Sequence, residues 1–296
     1  MKKSVFALLL CVFVTSFSWS QEWLTSFKFA KRLALMEDKM ILAVWENSAS
    51  YAYPVLIEDN KGIKYEVKLF EDENANKLVW EYFVPVIISE SNYDDLAAEY
   101  LTDKNYKYKD RFNDDFLKVM DPNGNIINTK ALDEYGILNL TRLIRSYALN
   151  LSFLKSEMTG YFENKSFSSA FRLAVKYLDF ATYAKDDVKK EIVNLSDIYM
   201  NEAKTLLEKS NFDNKSALTQ KIELLDLNKY LILGRHRKVY RALKKTNETS
   251  IDKINKSLYA FLQYASLKGI GKIEESLKWH DQVTQNDLNK IKFITK

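Results

Sequence analysis

The sequence predicts an α/β domain, in which helices flank a mixed sheet, followed by an all-α domain. Two continuous apolar runs of strand length, at 40–45 and 83–89, have the pattern of strands covered on both faces. After residue 150 such runs stop, and apolar residues recur at helical spacing. With 7 glycines and 3 prolines in 296 residues, long regular elements are favoured over all-β or low-complexity structure. The length, with 47% hydrophobic residues, is sufficient for two cores.

The first twenty residues have the pattern of a signal peptide. Lys2 and Lys3 give a positive start, residues 6–14 are apolar, and Ser18-Trp19-Ser20 is a small-x-small cleavage site. The apolar run of about ten residues is too short for the roughly twenty of a membrane span, and no later segment comes close. We therefore expect an exported protein, periplasmic or secreted, without a membrane span.

Removal of residues 1–20 would change the chemistry of the chain. It takes away the one cysteine, Cys11, which we interpret as part of the apolar run because Leu10 precedes it where a lipid-attachment motif requires a small residue. It lowers the net charge from +4 to +2, since Lys2 and Lys3 are lost. Without a thiol the mature chain can form no disulfide, thiolate metal site or cysteine nucleophile. Mixed charges close to neutrality argue against a nucleic-acid partner.

Helices and strands alternate between residues 23 and 151. The first element is an amphipathic helix at 23–38, with Leu24, Phe27 and Ala30 on one face, and the strand at 40–45 follows it. The later elements are a strand pair at 53–67, a helix at 73–82, a strand at 83–89, a helix at 92–101, a strand at 116–120, a turn at 121–124, a strand at 125–127 and a helix from 134 to about 151.

Two motifs in this order of elements point to a known family. Lys39-Met40-Ile41-Leu42 opens a buried strand that runs into a polar turn, and Asp121-Pro122-Asn123-Gly124 separates two later strands. Over roughly residues 23–150 the chain resembles exported thioredoxin-like proteins, in which a K-P-I-L strand delivers a C-x-x-C motif to the start of a helix. The resemblance implies a thioredoxin-like domain at 21–150, with two parallel apolar strands and a closing β-hairpin at the D-P-N-G turn.

The sequence departs from this family at its redox site. The two motif cysteines would fall at Ser50 and Tyr53, and a serine hydroxyl cannot be oxidised to a disulfide. The residues Asn113-Asp114-Asp115 stand where the family's cis-proline would be. The segment 53–67 predicts a hairpin where a long helix should follow the motif. Thiol oxidoreductase activity is therefore not expected, and we also expect no bound cofactor.

The region around 45–65, where the sequence departs from the family, offers one candidate surface. Trp45, Ser50, Tyr51, Tyr53 and Tyr65 could form a partner-binding surface, because Trp and Tyr give large rigid contact areas with polar tips. The alternative is that these aromatic residues belong to the core and its rim, in a chain with 18 tyrosines and 17 phenylalanines.

Residues 151–296 predict a helical domain of antiparallel pairs. Helical spacing occurs at 151–161, 167–183, 188–209, 217–233, 238–245, 251–268 and 274–283. The stretches that begin at Tyr230 and Tyr264 lie 34 residues apart, which is the period of tetratricopeptide repeats, although the later motif positions fit poorly. The domain thus resembles a degenerate tetratricopeptide array, with an irregular bundle as the alternative. Stacked repeats would form a concave protein-binding groove.

No motif of catalysis or metal binding stands out. The two histidines, His236 and His280, lack a third ligand at metal-site spacing, and no phosphate loop, G-x-S-x-G or H-E-x-x-H motif occurs. The sequence therefore favours a non-catalytic binding or scaffolding protein of the periplasm, with a protein or peptide partner. The alternative is an enzyme, or an enzyme subunit, of hydrolase or transferase type, and the oligomeric state stays open.

Overall fold

A computed structural model describes residues 22–129, 133–134 and 136–295. The predicted signal peptide at 1–20, with Cys11, lies outside the described residues. Along the remaining chain a mixed α/β part is followed by a helical part, as the sequence predicts.

The α/β part extends to residue 147 and contains strands in two sheets. Its elements are α1 (Phe27–Glu37), β1 (Met40–Trp45), α2 (Glu46–Ala49), β2 (Pro54–Glu58), β3 (Lys64–Lys68), α3 (Glu73–Tyr82), β4 (Phe83–Ile88), α4 (Tyr93–Tyr100), α5 (Tyr106–Asn113), β5 (Lys118–Met120), β6 (Asp133–Glu134), β7 (Ile137–Asn139) and α6 (Leu140–Tyr147).

The first sheet has the order β4-β1-β5, with β1 at its centre. Strand β1 runs parallel to β4 and antiparallel to β5. All six of its residues are buried, and because successive side chains point to opposite faces, Leu42 and Ala43 enter different clusters. Isolated bridges at Leu24 and Ile126 extend the pairing beyond β4 and beyond β5. The apolar run is therefore a central strand covered on both faces.

The second sheet has the order β3-β2-β7-β6 and begins with the predicted hairpin. Strands β2 and β3 pair antiparallel from Pro54 opposite Lys68 to Glu58 opposite Lys64. At the turn, the Asp59 carboxylate accepts the backbone N–H groups of Lys61 and Ile63 at 2.8 and 2.9 Å. This confirms the hairpin in place of a long helix.

The chain from 140 to 295 contains no strand. After α6 its α-helices are α7 (Lys155–Glu163), α8 (Phe167–Tyr183), α9 (Asp186–Glu208), α10 (Lys215–Ile232), α11 (His236–Leu243), α12 (Lys256–Gly269), α13 (Ile273–Leu277) and α14 (Gln285–Ile294). The two parts share one hydrophobic cluster, which includes Leu42 and Val119 from the sheet and Leu173 and Tyr199 from the helices.

Some element boundaries differ from the sequence predictions. The helix predicted from Glu134 begins at Leu140, because Ile137–Asn139 pair as β7 and the Asn139 side chain caps the helix by accepting the Arg142 N–H at 2.9 Å. Helix α5 was not predicted, because charged residues surround its buried aromatic residues Tyr108 and Phe112. Helix α14 was not predicted either.

The helical pairs do not follow the 34-residue period. Gly234, with φ +72°, ends α10, and the N–H of Arg235 reaches the carbonyl of Tyr230 at 2.8 Å. Gly271, with φ +83°, follows α12, and the next N–H reaches the carbonyl of Leu267 at 3.0 Å in the same way. These are equivalent glycine caps. The two glycines lie 37 positions apart, whereas Tyr230 and Tyr264 lie 34 apart. The spacing between equivalent helix ends therefore differs from the 34-residue period that the tyrosines predict.

Candidate functional site

The residues at the two expected cysteine positions are not arranged as a reactive pair. Ser50 follows the four-residue α2, is exposed, and donates its hydroxyl to the Asn47 carbonyl at 2.6 Å. Tyr53 is half-buried, and its hydroxyl accepts the N–H of Leu117 at 2.9 Å while donating to the carbonyl of Asp115 at 3.2 Å. Tyr53 therefore anchors the loop before β5.

A buried lysine holds the same loop from inside. The Lys118 ammonium donates to the carbonyls of Asp114 and Phe116 at 2.6 and 2.9 Å, and one oxygen of the Asp114 carboxylate lies at 3.5 Å. Burial lowers the pKa of Lys118 to about 8. No cis peptide bond occurs in the part of the chain that the structure describes. Internal hydrogen bonds therefore occupy the backbone of the loop that stands at the expected cis-proline position.

The five residues of the candidate surface do not form one exposed patch. Trp45 is only 5% exposed and its indole N–H donates to the Phe112 carbonyl at 2.8 Å, so it belongs to the core. Tyr51 and Tyr65 are 75% and 51% exposed. They lie toward opposite ends of the hairpin, because Tyr65 pairs with Ile57 near the turn. The core interpretation therefore holds for Trp45, and the exposed members are separated.

A large cleft lies where the α/β part meets the helices. Its volume is about 1050 Å³, at the upper end of the range of ligand-binding sites. One wall is the segment 99–108, which runs from the end of α4 to the start of α5, and another is helix α9. The floor includes Asn123, Asn125 and Tyr161.

Helix α9 presents a polar face to this cleft. Asn194, Asp197, Asn201 and Thr205 follow one another at spacings of three and four residues, which places them on one side of the helix. Charged residues of both signs also line the cleft: Glu99, Lys104, Lys165, Lys190, Glu191 and Glu202. The cleft thus suits a ligand with many hydrogen-bonding groups better than one with a large charge of a single sign.

A fully buried carboxylate fixes the floor of the cleft. One oxygen of Asp121 accepts the backbone N–H groups of Asn123 and Asn125 at 3.0 and 2.9 Å. The other oxygen accepts the hydroxyl of Tyr177, from α8, at 3.0 Å and that of Tyr199, from α9. The D-P-N-G turn is thereby attached to both long helices.

The hydroxyl of Tyr199 completes this network. It accepts the side-chain N–H groups of Asn123 and Asn125 at 3.1 and 3.0 Å while it donates to Asp121. Burial raises the pKa of Asp121, while the hydrogen bonds that it accepts act in the opposite direction. Burial also raises the pKa of Tyr177 and of Tyr199 well above the usual value of 10. Both tyrosines therefore remain neutral donors, and the network is a support for the cleft.

The glycine of this turn is required by its surroundings. Gly124 has φ +95°, which disfavours other residues, and a Cβ atom there would lie 2.6 Å from the Tyr100 hydroxyl oxygen. That hydroxyl donates to the Asn123 carbonyl at 2.8 Å and accepts from the Lys31 ammonium at 3.0 Å. The cleft floor is therefore closely packed from the α4 side as well.

One acid–tyrosine pair lies in the cleft itself. The Tyr161 hydroxyl donates to the Glu202 carboxylate at 2.5 Å. Burial, followed by this hydrogen bond, raises the pKa of Tyr161 far above its usual value. The Tyr161 hydroxyl is therefore a protonated hydrogen-bond donor at neutral pH.

Sequence reasoning found the D-P-N-G turn only as a turn, and it missed the cleft around it. The usable signal was the polar face of α9, opposite buried residues such as Leu195 and Tyr199. The described residues hold no group of three metal-ligating side chains, and the ring of His236 packs against Gly269. No helix in the described part of the chain is both long and apolar enough to span a bilayer.

Comparisons of the chain with protein-family models, with curated proteins and with solved structures each give no match.

Proposed function

We propose that this protein is a non-catalytic binding or scaffolding protein that holds an extended polypeptide in the cleft between the segment 99–108 and helix α9. The observation that carries the proposal is the position of the cleft. It lies at the junction of the two parts, away from the end where a thioredoxin-like protein has its redox site, and that end is held closed by Lys118 and Tyr53.

The proposal includes a thioredoxin-like α/β domain that has lost its redox function. The parallel pair of β1 and β4 and the antiparallel β5 before the D-P-N-G turn support this part of the proposal, because the resemblance implies two parallel strands and a closing hairpin. The absence of cysteine after residue 11 is compatible with this loss. Export to the periplasm by the leader at 1–20 belongs to the same proposal.

The lining of the cleft favours a polypeptide as ligand. Asparagine side chains offer both donors and an acceptor, as peptide groups do, and Asn105, Asn194 and Asn201 come from both walls. Carboxylates and ammonium groups both line the cleft, which suits a segment of mixed side chains. In this reading the helical part supplies the protein-interaction surface through α9, and no stacked-repeat groove is needed.

Affinity purification tests the proposal. We expect the tagged mature chain to retain a specific protein from envelope extract, and Asn201→Arg to lose it, because a long cation would project from α9 into the cleft. Glu208→Arg, on the same helix but outside the cleft, is the matched control and should retain the partner. If the two variants retain the partner equally, the cleft is not the binding site.

The alternative, an enzyme of hydrolase or transferase type, has one supporting observation, the contact between Glu202 and Tyr161 in the cleft. The raised pKa of Tyr161 argues against a basic or nucleophilic role. If a hydrolytic activity is found in the mature chain, Glu202→Gln should abolish it while leaving the fold unchanged by circular dichroism. An activity that survives this substitution would exclude the pair as its catalytic centre.

A further inference from the structure

Strand β3 forms an open edge of the second sheet. It is the end strand of the order β3-β2-β7-β6, and β2 is its one neighbouring strand among the described residues. Four of its five residues are exposed. The other described sheet edges are short or covered, since β6 has two residues, Leu24 bonds to the backbone of β4, and Ile126 bridges to β5. A strand of this length at an open edge is a site where another strand can pair.

The hydrogen bonds of the hairpin show which backbone groups of β3 point outward. The carbonyl of Ile63 accepts the N–H of Asp59 at 2.9 Å, and the N–H of Leu69 donates to the carbonyl of Tyr53 at 3.1 Å. The odd-numbered residues from 63 to 69 therefore direct their backbone groups toward β2. Because these directions alternate along a strand, the even-numbered residues direct theirs toward the open edge. A new antiparallel neighbour must therefore bond to the even-numbered residues.

The side chains of this edge form one apolar and one charged row. Successive side chains point to opposite faces, so Ile63, Tyr65 and Val67 share one face, and Lys64 and Glu66 share the other. Val67 packs against the core, whereas Ile63 and Tyr65 are 50% and 51% exposed. The apolar row thus continues from the core onto the exposed part of the hairpin.

This sequence is complementary to itself in one antiparallel register. With a two-fold axis at Tyr65, this residue lies opposite the partner's Tyr65, and Ile63 lies opposite the partner's Val67. The same register places Lys64 opposite the partner's Glu66, and this happens twice because of the symmetry. The hydrogen bonds of the new pairing then come from even-numbered residues, as the hairpin requires. Apolar side chains meet on one face, and opposite charges meet on the other.

The neighbouring register that the backbone also allows has its axis at Glu66. It would place Glu66 opposite the partner's Glu66, and Lys64 opposite the partner's Lys68, and like charges in these positions are destabilising. We propose that two copies of this chain pair through β3 in the register centred on Tyr65, which joins their sheets into one. Five paired residues in each copy form a small interface, so the dimer is transient.

Sedimentation velocity over a concentration series of the chain from residue 21 tests this pairing. We expect a reversible equilibrium between monomer and dimer, and at least tenfold weaker dimerisation of Glu66→Lys, because the new lysine faces the partner's Lys64. Glu66 is exposed and lies opposite Leu56 on β2, so its replacement should leave the fold unchanged. Glu163→Lys makes the same charge change at an exposed position of α7 and should dimerise as the wild type does. A wild type that stays monomeric, or equal dimerisation of Glu66→Lys and the wild type, would overturn the proposal.

Mixing two variants tests the register itself. Lys64→Glu alone places two acids opposite each other, whereas its mixture with Glu66→Lys restores two pairs of opposite charge. We expect the mixture to dimerise at least tenfold more tightly than either variant alone, with melting temperatures showing that both are folded. Two folded variants whose mixture stays monomeric would overturn the proposal. None of the residues 63–67 lines the cleft, so Glu66→Lys should still retain the partner of the cleft, and each proposal can fail without the other.

Discussion

The hydroxyl of Tyr199 should contribute more to stability than that of Tyr177, although both donate to the same carboxylate. Tyr177→Phe removes one hydrogen bond to Asp121. Tyr199→Phe removes the equivalent bond and also the acceptor for the side-chain N–H groups of Asn123 and Asn125. A hydrogen bond to a charged group contributes about 1.5–3 kcal/mol, and a buried donor left unpaired costs about 1–3 kcal/mol.

We therefore expect the free energy of unfolding to fall by about 2 kcal/mol in Tyr177→Phe and by about 3–4 kcal/mol in Tyr199→Phe. The second figure is less than the full sum, because Asn123 and Asn125 line the cleft and water can partly replace the lost acceptor. Both phenylalanine rings preserve the stacking of the two aromatic side chains, whose centroids lie 5.5 Å apart.

Urea unfolding at pH 7 measures these losses by linear extrapolation. Tyr183→Phe, at an exposed position of α8, is the matched control and should change stability by less than about 0.5 kcal/mol. Equal losses in Tyr177→Phe and Tyr199→Phe would refute the argument that Tyr199 accepts from the two asparagines. Losses no larger than that of the control would refute the role of Asp121 as the anchor of the turn.

Three further predictions follow from particular contacts. Gly124→Ala should destabilise the fold by more than Gly62→Ala does. Both glycines have positive φ, but only a Cβ atom at position 124 would clash with Tyr100. Equal losses in the free energy of unfolding, measured with urea, would contradict this. The pKa of Lys118 is lowered to about 8 in the folded chain, so between about pH 8 and the usual pKa of 10.5 the unfolded chain keeps a proton that the folded chain has lost. The free energy of unfolding should therefore rise with pH from about 8 toward 10. Above about pH 10, buried tyrosines with raised pKa values, such as Tyr199, should reverse the trend, since they ionise only on unfolding. Lys118→Met should reduce the slope of the free energy of unfolding against pH between pH 8 and 10. An unchanged slope would mean that other groups cause the pH dependence. Insulin incubated with the chain from residue 21 and dithiothreitol should be reduced no faster than with dithiothreitol alone, because that chain has no thiol. Faster reduction would contradict the proposed absence of redox function.

Local sequence patterns were enough for much of the α/β part. Helix α3 has the predicted bounds, and the strands at 40–45 and 83–88 were evident because strands covered on both faces are apolar throughout. Helix α5 could not be recognised from the sequence, because Lys107 and Lys109 interrupt the apolar spacing. Its buried face contains Tyr108 and Phe112.

The cleft could not be predicted because its parts are distant in sequence. Asp121 lies 56 and 78 positions from its tyrosine partners, and no local pattern specifies such a pairing. Ser50 and Tyr53 did indicate that no thiol pair lies at the end of β1. The sequence could not indicate that Lys118 would close that end from within, since a lysine in a short strand usually faces solvent.

Photo-crosslinking tests the central claim, that a polypeptide occupies the cleft, most directly. A benzoylphenylalanine residue would be placed at Asn201 in one variant and at the exposed Tyr51, shortly after β1, in another. Both variants would be irradiated in intact cells. A specific protein adduct at position 201 that is absent at position 51 is the predicted result. An adduct at position 51 alone would contradict the account and would place the partner at the end of the sheet where β1 terminates.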